Sequence, residues 1–269
     1  MSTIQAILLD LDDTLLGNNT TEFMQRYFAL LGKYAQPVMD NDTFLPHLIQ
    51  ATQAAIRNTD PAHTNAEIFW ANFEALTGGR RADLEPFFSR FYESDFAQLR
   101  PSTQVRQAAA HLVRAAFARG LAVVIATNPL FPATAIEQRL AWAGVPVDEF
   151  PYALVTTYEN MHAAKPQPAY YREILAAIDC PPERALMVGD DWKNDIAPAA
   201  AVGLHTFWIA PIDAEPPDRT LLNGQGSLDV LAEMVAGGWL EPVSYTHLRA
   251  HETVLDLVCR LLLEKKKEK

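Results

Sequence analysis

The sequence predicts an α/β protein: a mostly parallel sheet flanked by helices and interrupted once by an all-helical segment. Three observations predict it. An apolar run at 4–10 leads straight into acidic residues. From about 20 to 98 the spacing is helical and no convincing strand occurs. From Pro101 onward, apolar runs alternate with helical ones.

The elements follow in order. Residues 4–10 lack polar alternation, as expected of a strand covered on both faces. Residues 11–18, rich in Asp, Gly and Asn, read as a loop, with Asn18, Asn19 or Thr20 able to cap a helix that begins near Thr21. Phe23, Tyr27, Leu30 and Leu31 continue that helix. Further helices are expected over 42–57, 64–77 and 83–96; Gly78 and Gly79 stop the third, and Pro86 disturbs the start of the fourth. The aromatics Phe69, Trp70, Phe73, Phe87, Phe88, Phe91 and Tyr92 suit the core of a small bundle, with one or two free to face a ligand. Beyond Pro101, helices are expected at 103–119, 132–142, 168–177, 194–201 and 227–236. Strands are expected at 121–126, 153–156, 185–188 and 204–209. The pattern describes a Rossmann-like core made of 1–18 and 99–243, with a helical cap over 19–98. In such sheets ligands bind beyond the C-terminal ends of the strands.

Composition narrows the function. The 269 residues are 49% hydrophobic and 20% charged, which reads as globular. A net charge of −11 disfavours a nucleic-acid partner. Two cysteines, Cys180 and Cys259, are too few for a disulfide framework or a zinc site. No apolar run reaches membrane-spanning length and no signal peptide is evident, so a cytoplasmic protein without a membrane partner is expected. Residues 244–269 break the pattern. They carry six Lys or Arg against four Asp or Glu, net +2, whereas the preceding 243 residues carry 16 against 29, net −13. The segment resembles a translated cloning or sequencing adapter and is set aside as a non-native tail. A membrane-surface or partner helix over Thr253–Leu263 is the other reading.

Four polar clusters stand where strands end. Asp10 and Asp12 follow the first strand, and residues two apart point the same way. Three neighbouring carboxylates, counting Asp13, repel one another unless a cation or ligand offsets them. Asp10 at the strand terminus can be a nucleophile and Asp12 an acid and base. Magnesium suits such oxygen ligands. Thr127-Asn128 follows the second expected core strand and can bind phosphoryl oxygens. Lys165, ahead of Pro166, can neutralise a phosphate and steady the nucleophile. Gly189 leaves room for Asp190, which can complete a metal site with Asp10; Asn194 and Asp195 lie beyond. Singly, each cluster is explained by an Asx turn, a Thr-Asn-Pro turn, a surface lysine or an acidic helix cap. All four at one edge of one sheet call for chemistry.

Together these residues resemble the haloacid dehalogenase superfamily of hydrolases, in the subgroup whose cap follows the first strand. The first motif stands as Asp10-Leu11-Asp12-Asp13-Thr14, the second as Thr127, the third as Lys165, and the fourth as Gly189-Asp190-Asp191 with Asp195. The resemblance covers about 4–237 and departs at Asp13, where the family often has glycine. It implies a Mg²⁺-dependent phosphomonoester hydrolase acting on a small phosphorylated metabolite. Asp10 would form a phospho-aspartyl intermediate, and Asp12 would protonate the leaving oxygen and then activate water. Thr127, Asn128 and Lys165 would hold the phosphate. Mg²⁺ would be bound by the carboxylates of Asp10 and Asp190 and the Asp12 carbonyl, with Asp195 an outer ligand. Dehalogenases of the superfamily lack the second acid, so Asp12 argues for phosphoryl transfer. A phosphomutase and a catalytically silent binding protein are the alternatives. His47, His63 and Arg80 are the polar candidates in the cap for touching substrate.

Overall fold

In a computed structural model of the chain, residues 3–238 are described; the tail read over 244–269 lies outside them. The elements run β1 (Ala6–Leu9), β2 (Leu16–Asn18), α1 (Thr20–Ala35), α2 (Asn41–Ile56), α3 (Asn65–Thr77), α4 (Arg81–Glu93), β3 (Thr103–Val105), α5 (Gln107–Ala118), β4 (Ala122–Ile125), α6 (Ala133–Trp142) and β5 (Leu154–Val155). They continue with α7 (Pro168–Ala177), β6 (Ala185–Gly189), α8 (Ala197–Val202), β7 (His205–Ile209), β8 (Gly224–Gly226) and α9 (Leu228–Ala236).

Six strands form one parallel sheet in the order β5-β4-β1-β6-β7-β8. Every residue of β1 is buried, which explains the missing polar alternation. Ile7 and Leu9 pack on one face with Leu112, Val113, Leu231 and Val235 of α5 and α9. Ala6 and Leu8 pack on the other with Tyr170, Tyr171 and Ile174 of α7. The chain leaves β1 and later lays β4 on one side of it and β6 on the other. The C-terminal ends of these three central strands therefore converge at the topological switch point, the position at which such sheets bind ligands.

The cap is the four-helix insert α1–α4. Asn19 caps α1 by accepting from the Glu22 N–H, and Thr64 with Glu67 forms a reciprocal capping box on α3. α3 ends at Gly78, whose left-handed φ of 71° favours glycine. Between the helices, Phe44 stacks on Phe88 and meets Phe73 edge-on. Hydrogen bonds seat the cap on the core: Asn58 Nδ2 donates to the His162 carbonyl, and Asn65 Nδ2 to those of Pro129 and Ala163.

The structure corrects the expected elements in five places. Residues 16–18, read as loop, are β2. Thr103–Val105, read as the start of a helix, is β3, and the two pair antiparallel where the chain enters and leaves the cap. Three-residue strands joined across some 85 residues leave no local period to read. β8, built from Gly-Gln-Gly, carries no apolar run either, and pairs at the sheet edge through backbone alone. The helix expected over 194–201 begins as a π-turn, Trp192–Ile196, and becomes α-helical only from Ala197; the one expected over 83–96 ends at Glu93 and passes into a 3₁₀ segment, Asp95–Ser102.

Candidate active site

Asp10 leaves the C-terminal end of β1, and Lys165 reaches it from the loop before α7. The Lys165 Nζ donates to Asp10 Oδ1 at 2.7 Å and to Asp195 Oδ1 at 2.6 Å. All three residues are buried. Asp190, just beyond β6, completes the group: oxygens of Asp10, Asp190 and Asp195 lie within 4.8 Å of one another. Thr14 Oγ1 donates to Asp190 Oδ1, and Trp208 Nε1 to its carbonyl.

Gly189 is what lets β6 run this close. A Cβ there would stand 2.2 Å from Asp195 Oδ2 and 2.4 Å from Cγ. Asp195 cannot retreat, because Lys165 holds one oxygen and the Asp191 N–H the other. Gly189→Ala is therefore expected to lower stability by about 1–3 kcal/mol and to displace Asp195 from Lys165. A melting temperature equal to that of the parent would contradict this packing.

Asp12 sits apart from the cluster. Its Oδ2 accepts from Arg139 Nη1 at 2.6 Å and its Oδ1 from Asn18 Nδ2 at 3.0 Å. Its side chain is 29% exposed, against 2% for its arginine partner. The two acids thus occupy different surroundings, one buried on a lysine and one at the rim on an arginine. Of the four residues expected at a metal, Asp10, Asp190 and Asp195 come together by side chain, whereas the Asp12 carboxylate does not join them. Asp13 has a structural explanation. Its φ is 55°, a left-handed conformation in which glycine is at ease and Asp is tolerated. Its carboxylate accepts from the Asn18 N–H and the Thr20 hydroxyl, tying the turn to the start of α1.

Thr127 is buried at the end of β4, and its carbonyl accepts from Thr156 Oγ1 at 2.7 Å and Tyr170 Oη at 2.8 Å. These two bonds fix the strand end that carries Thr127-Asn128. The neighbouring Asn128 has a buried Oδ1 without a hydrogen-bond partner among the described residues.

A family model described as haloacid dehalogenase-like hydrolase matches residues 4–203. The chain belongs to that family. A glyceraldehyde 3-phosphate phosphatase from Pyrococcus furiosus is 27% identical over 78% of this chain and 82% of its own. A phosphoserine phosphatase from Thermus thermophilus is 26% identical over 77% and 88%. Among solved structures, a 2-haloacid dehalogenase from Pseudomonas syringae pv. Tomato superposes with a TM-score of 0.55 at 20% identity, covering 88% of this chain and 99% of that one. That likeness shows the fold, including the helical cap after the first strand.

In this haloacid dehalogenase-like hydrolase the buried acids strain against their own charge. Burial, chiefly, pushes Asp10 up to about 7; Lys165 opposes this, while Asp195 and Asp12 add to it. Burial likewise raises Asp190 to about 7, helped by Asp10 and Asp13. Asp195 is raised by burial against the pull of Lys165. Burial works against the Lys165 ammonium, yet the Asp10 and Asp195 carboxylates outweigh it and hold the lysine well above its ordinary range. A close set of hard oxygen donors, short of positive charge, can coordinate a divalent cation.

The sign of the pH effect follows. Carboxyls whose folded values exceed their unfolded ones bind protons more tightly when folded. They stabilise below the ordinary value of 3.8, and that stabilisation is lost as pH rises toward about 7. Cation-free protein is expected to melt several degrees lower at pH 8 than at pH 5, and millimolar Mg²⁺ to restore most of the difference. A melting temperature that rises over this interval without cation would contradict the assignment.

Arg139 is the site residue that sequence reading missed. It is fully buried on the inner face of α6, with Ala135, Ile136 and Leu140. The signal was available: an arginine occupies a stripe position of an amphipathic helix, where an apolar side chain belongs. Its guanidinium lies 4.8 Å from the centre of the Phe131 ring, and its Nε and Nη2 are buried without partners among the described residues. None of the described helices is long and apolar enough to cross a membrane.

Proposed function

We propose that this protein is a Mg²⁺-dependent phosphomonoester hydrolase that acts on a small phosphorylated metabolite through a phospho-aspartyl intermediate. The observation that carries the reading is the separation of the two acids: Asp10 buried against Lys165, and Asp12 held at the rim by Arg139. A nucleophile and an acid–base group need such unlike surroundings. The phosphatase activities named for the two relatives support the same reaction class. The net charge of −11 disfavours a nucleic-acid partner, and among the described residues no helix is long and apolar enough to cross a membrane; the reading places the small substrate in the cytoplasm.

In this reading an Asp10 carboxylate oxygen attacks phosphorus and the bond to the substrate oxygen breaks. Asp12 delivers its proton to that leaving oxygen. Asp12 then takes a proton from water as the water oxygen attacks phosphorus, the bond to Asp10 breaks, and inorganic phosphate leaves. Lys165, Thr127 and Asn128 hold phosphoryl oxygens as charge develops. Arg139 keeps the Asp12 carboxylate at one place through both steps. Asp10, Asp190 and the Asp12 carbonyl would hold Mg²⁺, with Asp195 behind them. When bound, the cation offsets the negative charge of the acids and of the phosphoryl group.

The test is phosphate release from a panel of sugar phosphates, nucleotides, phosphoserine and triose phosphates, with and without Mg²⁺. Release from at least one ester, abolished by chelation, is expected. Isomerisation of a phosphosugar without net phosphate release would instead establish a mutase.

A further inference from the structure

Between the cap and the core lies a cavity of about 330 Å³, lined by all four cap helices, by the core loops at 130–132 and 158–159, and by Thr134 at the start of α6. Among the described residues, ten of its lining side chains are aromatic, including Phe44, Phe69, Trp70, Phe73 and Phe88, and neither lysine nor arginine lines it. The polar groups on its wall are mostly engaged elsewhere. Glu85 is bound by Arg81 at 2.7 and 3.0 Å. Glu159 accepts twice from the Ala133 N–H at the start of α6. Thr52 and Ser89 hydroxyls donate back to the Leu48 and Glu85 carbonyls of their own helices. Tyr27 and Tyr92 bond each other, and Trp70 Nε1 donates to Tyr158 Oη. What the cavity offers an occupant is therefore almost wholly apolar surface.

Its position ties it to the reacting groups. The loop that carries Thr127-Asn128 continues as Leu130-Phe131-Pro132, which lines the cavity. Phe131 also lies against the Arg139 guanidinium, whose Nη1 holds Asp12. Two side chains, Phe131 and Arg139, thus stand between the cavity and the acid that would protonate a leaving oxygen. Its volume falls within the range of ligand pockets and holds roughly ten non-hydrogen atoms at about 30 Å³ each. A second phosphate or a carboxylate would find no cation there.

We propose that the cavity seats the leaving group of the substrate, and that this group is an uncharged aryl or alkyl chain of about that size. The inference rests on the phosphatase reading for its chemistry, but the cavity can be tested apart from it. Two esters of primary aliphatic alcohols, 3-phenylpropyl phosphate and glycerol 3-phosphate, present similar leaving oxygens and differ in what enters the cavity. Burial of the phenylpropyl group is expected to raise kcat/KM roughly 10- to 100-fold over the glycerol ester. Thr52→Phe fills the cavity from α2, and Ser89→Phe does so from an exposed position on α4 that is safer for folding. Either is expected to bring the two esters to within about threefold of each other, with melting temperature confirming a folded variant. Equal kcat/KM for the two esters in the parent, or a preference that survives both substitutions, would overturn the proposal. Calorimetric binding of 3-phenylpropan-1-ol separates the two readings. If the alcohol binds the parent and not the filled variants while neither ester releases phosphate, the cavity assignment stands and the phosphatase reading fails. If phosphate is released and the alcohol does not bind, the cavity assignment fails alone.

Discussion

Asp10→Asn is expected to abolish phosphate release, by about 10⁴-fold or more, while leaving the fold intact. Asparagine keeps the shape of the side chain, and its oxygen can still accept from Lys165. It cannot supply an anionic oxygen to phosphorus. The stability side of the argument is as specific. Ionised Asp10 is unfavourable in the folded state, because burial raises it toward about 7 and the neighbouring Asp195 and Asp12 add to the repulsion. Removing that charge relieves the cluster, and Lys165 retains Asp195 as its partner at 2.6 Å. Without cation at pH 8, the variant is therefore expected to melt at or above the parent temperature. Loss of activity together with retained or raised stability is the behaviour of a residue kept for chemistry at a cost to the fold. Full activity in purified Asp10→Asn protein would remove it as nucleophile. A large fall in melting temperature would make its role structural.

How much of this was legible in the sequence depends on the distance over which each residue's role is set. Asp10, Thr127, Lys165 and Asp190 could be singled out because each stands beside an apolar run, or just before a helix, where local pattern alone marks a strand end. The parallel sheet was legible for the same reason: a strand buried on both faces reads as an unbroken apolar run. β2 and β3 were not, since each exists only because the other does, far along the chain. Asp13 looked like a surplus charge in the row. Its explanation is a backbone conformation, φ 55°, together with two local hydrogen bonds, and neither is written in residue type. Strand alternation lets the Asp10 and Asp12 carboxylates approach one reacting centre, but it says nothing of what holds Asp12: Arg139 comes from α6, far along the chain, and Asn18 from beyond the turn.

Lys165→Met is expected to cost the most stability of any single change at the site. The methionine is close to lysine in length and fills the space, so the loss is electrostatic. Lys165 is 3% exposed and bridges Asp10 and Asp195 at 2.7 and 2.6 Å, with Asp190 close by. Taking it away leaves buried carboxylates facing one another with no cation between them, a change of about 3–5 kcal/mol and a fall in melting temperature of roughly 10 °C. The loss should be larger at pH 8 than at pH 5, because at the lower pH the crowded acids bind protons and the repulsion fades. Mg²⁺ then separates the two roles of the lysine. A divalent cation on the same carboxylates offsets their charge and is expected to recover part of the melting temperature. It does not replace an ammonium that faces the phosphoryl oxygens, so turnover in saturating Mg²⁺ should stay at least about 10²-fold below the parent. If the cation restores activity along with stability, Lys165 serves only to neutralise the acids and plays no part in holding phosphate.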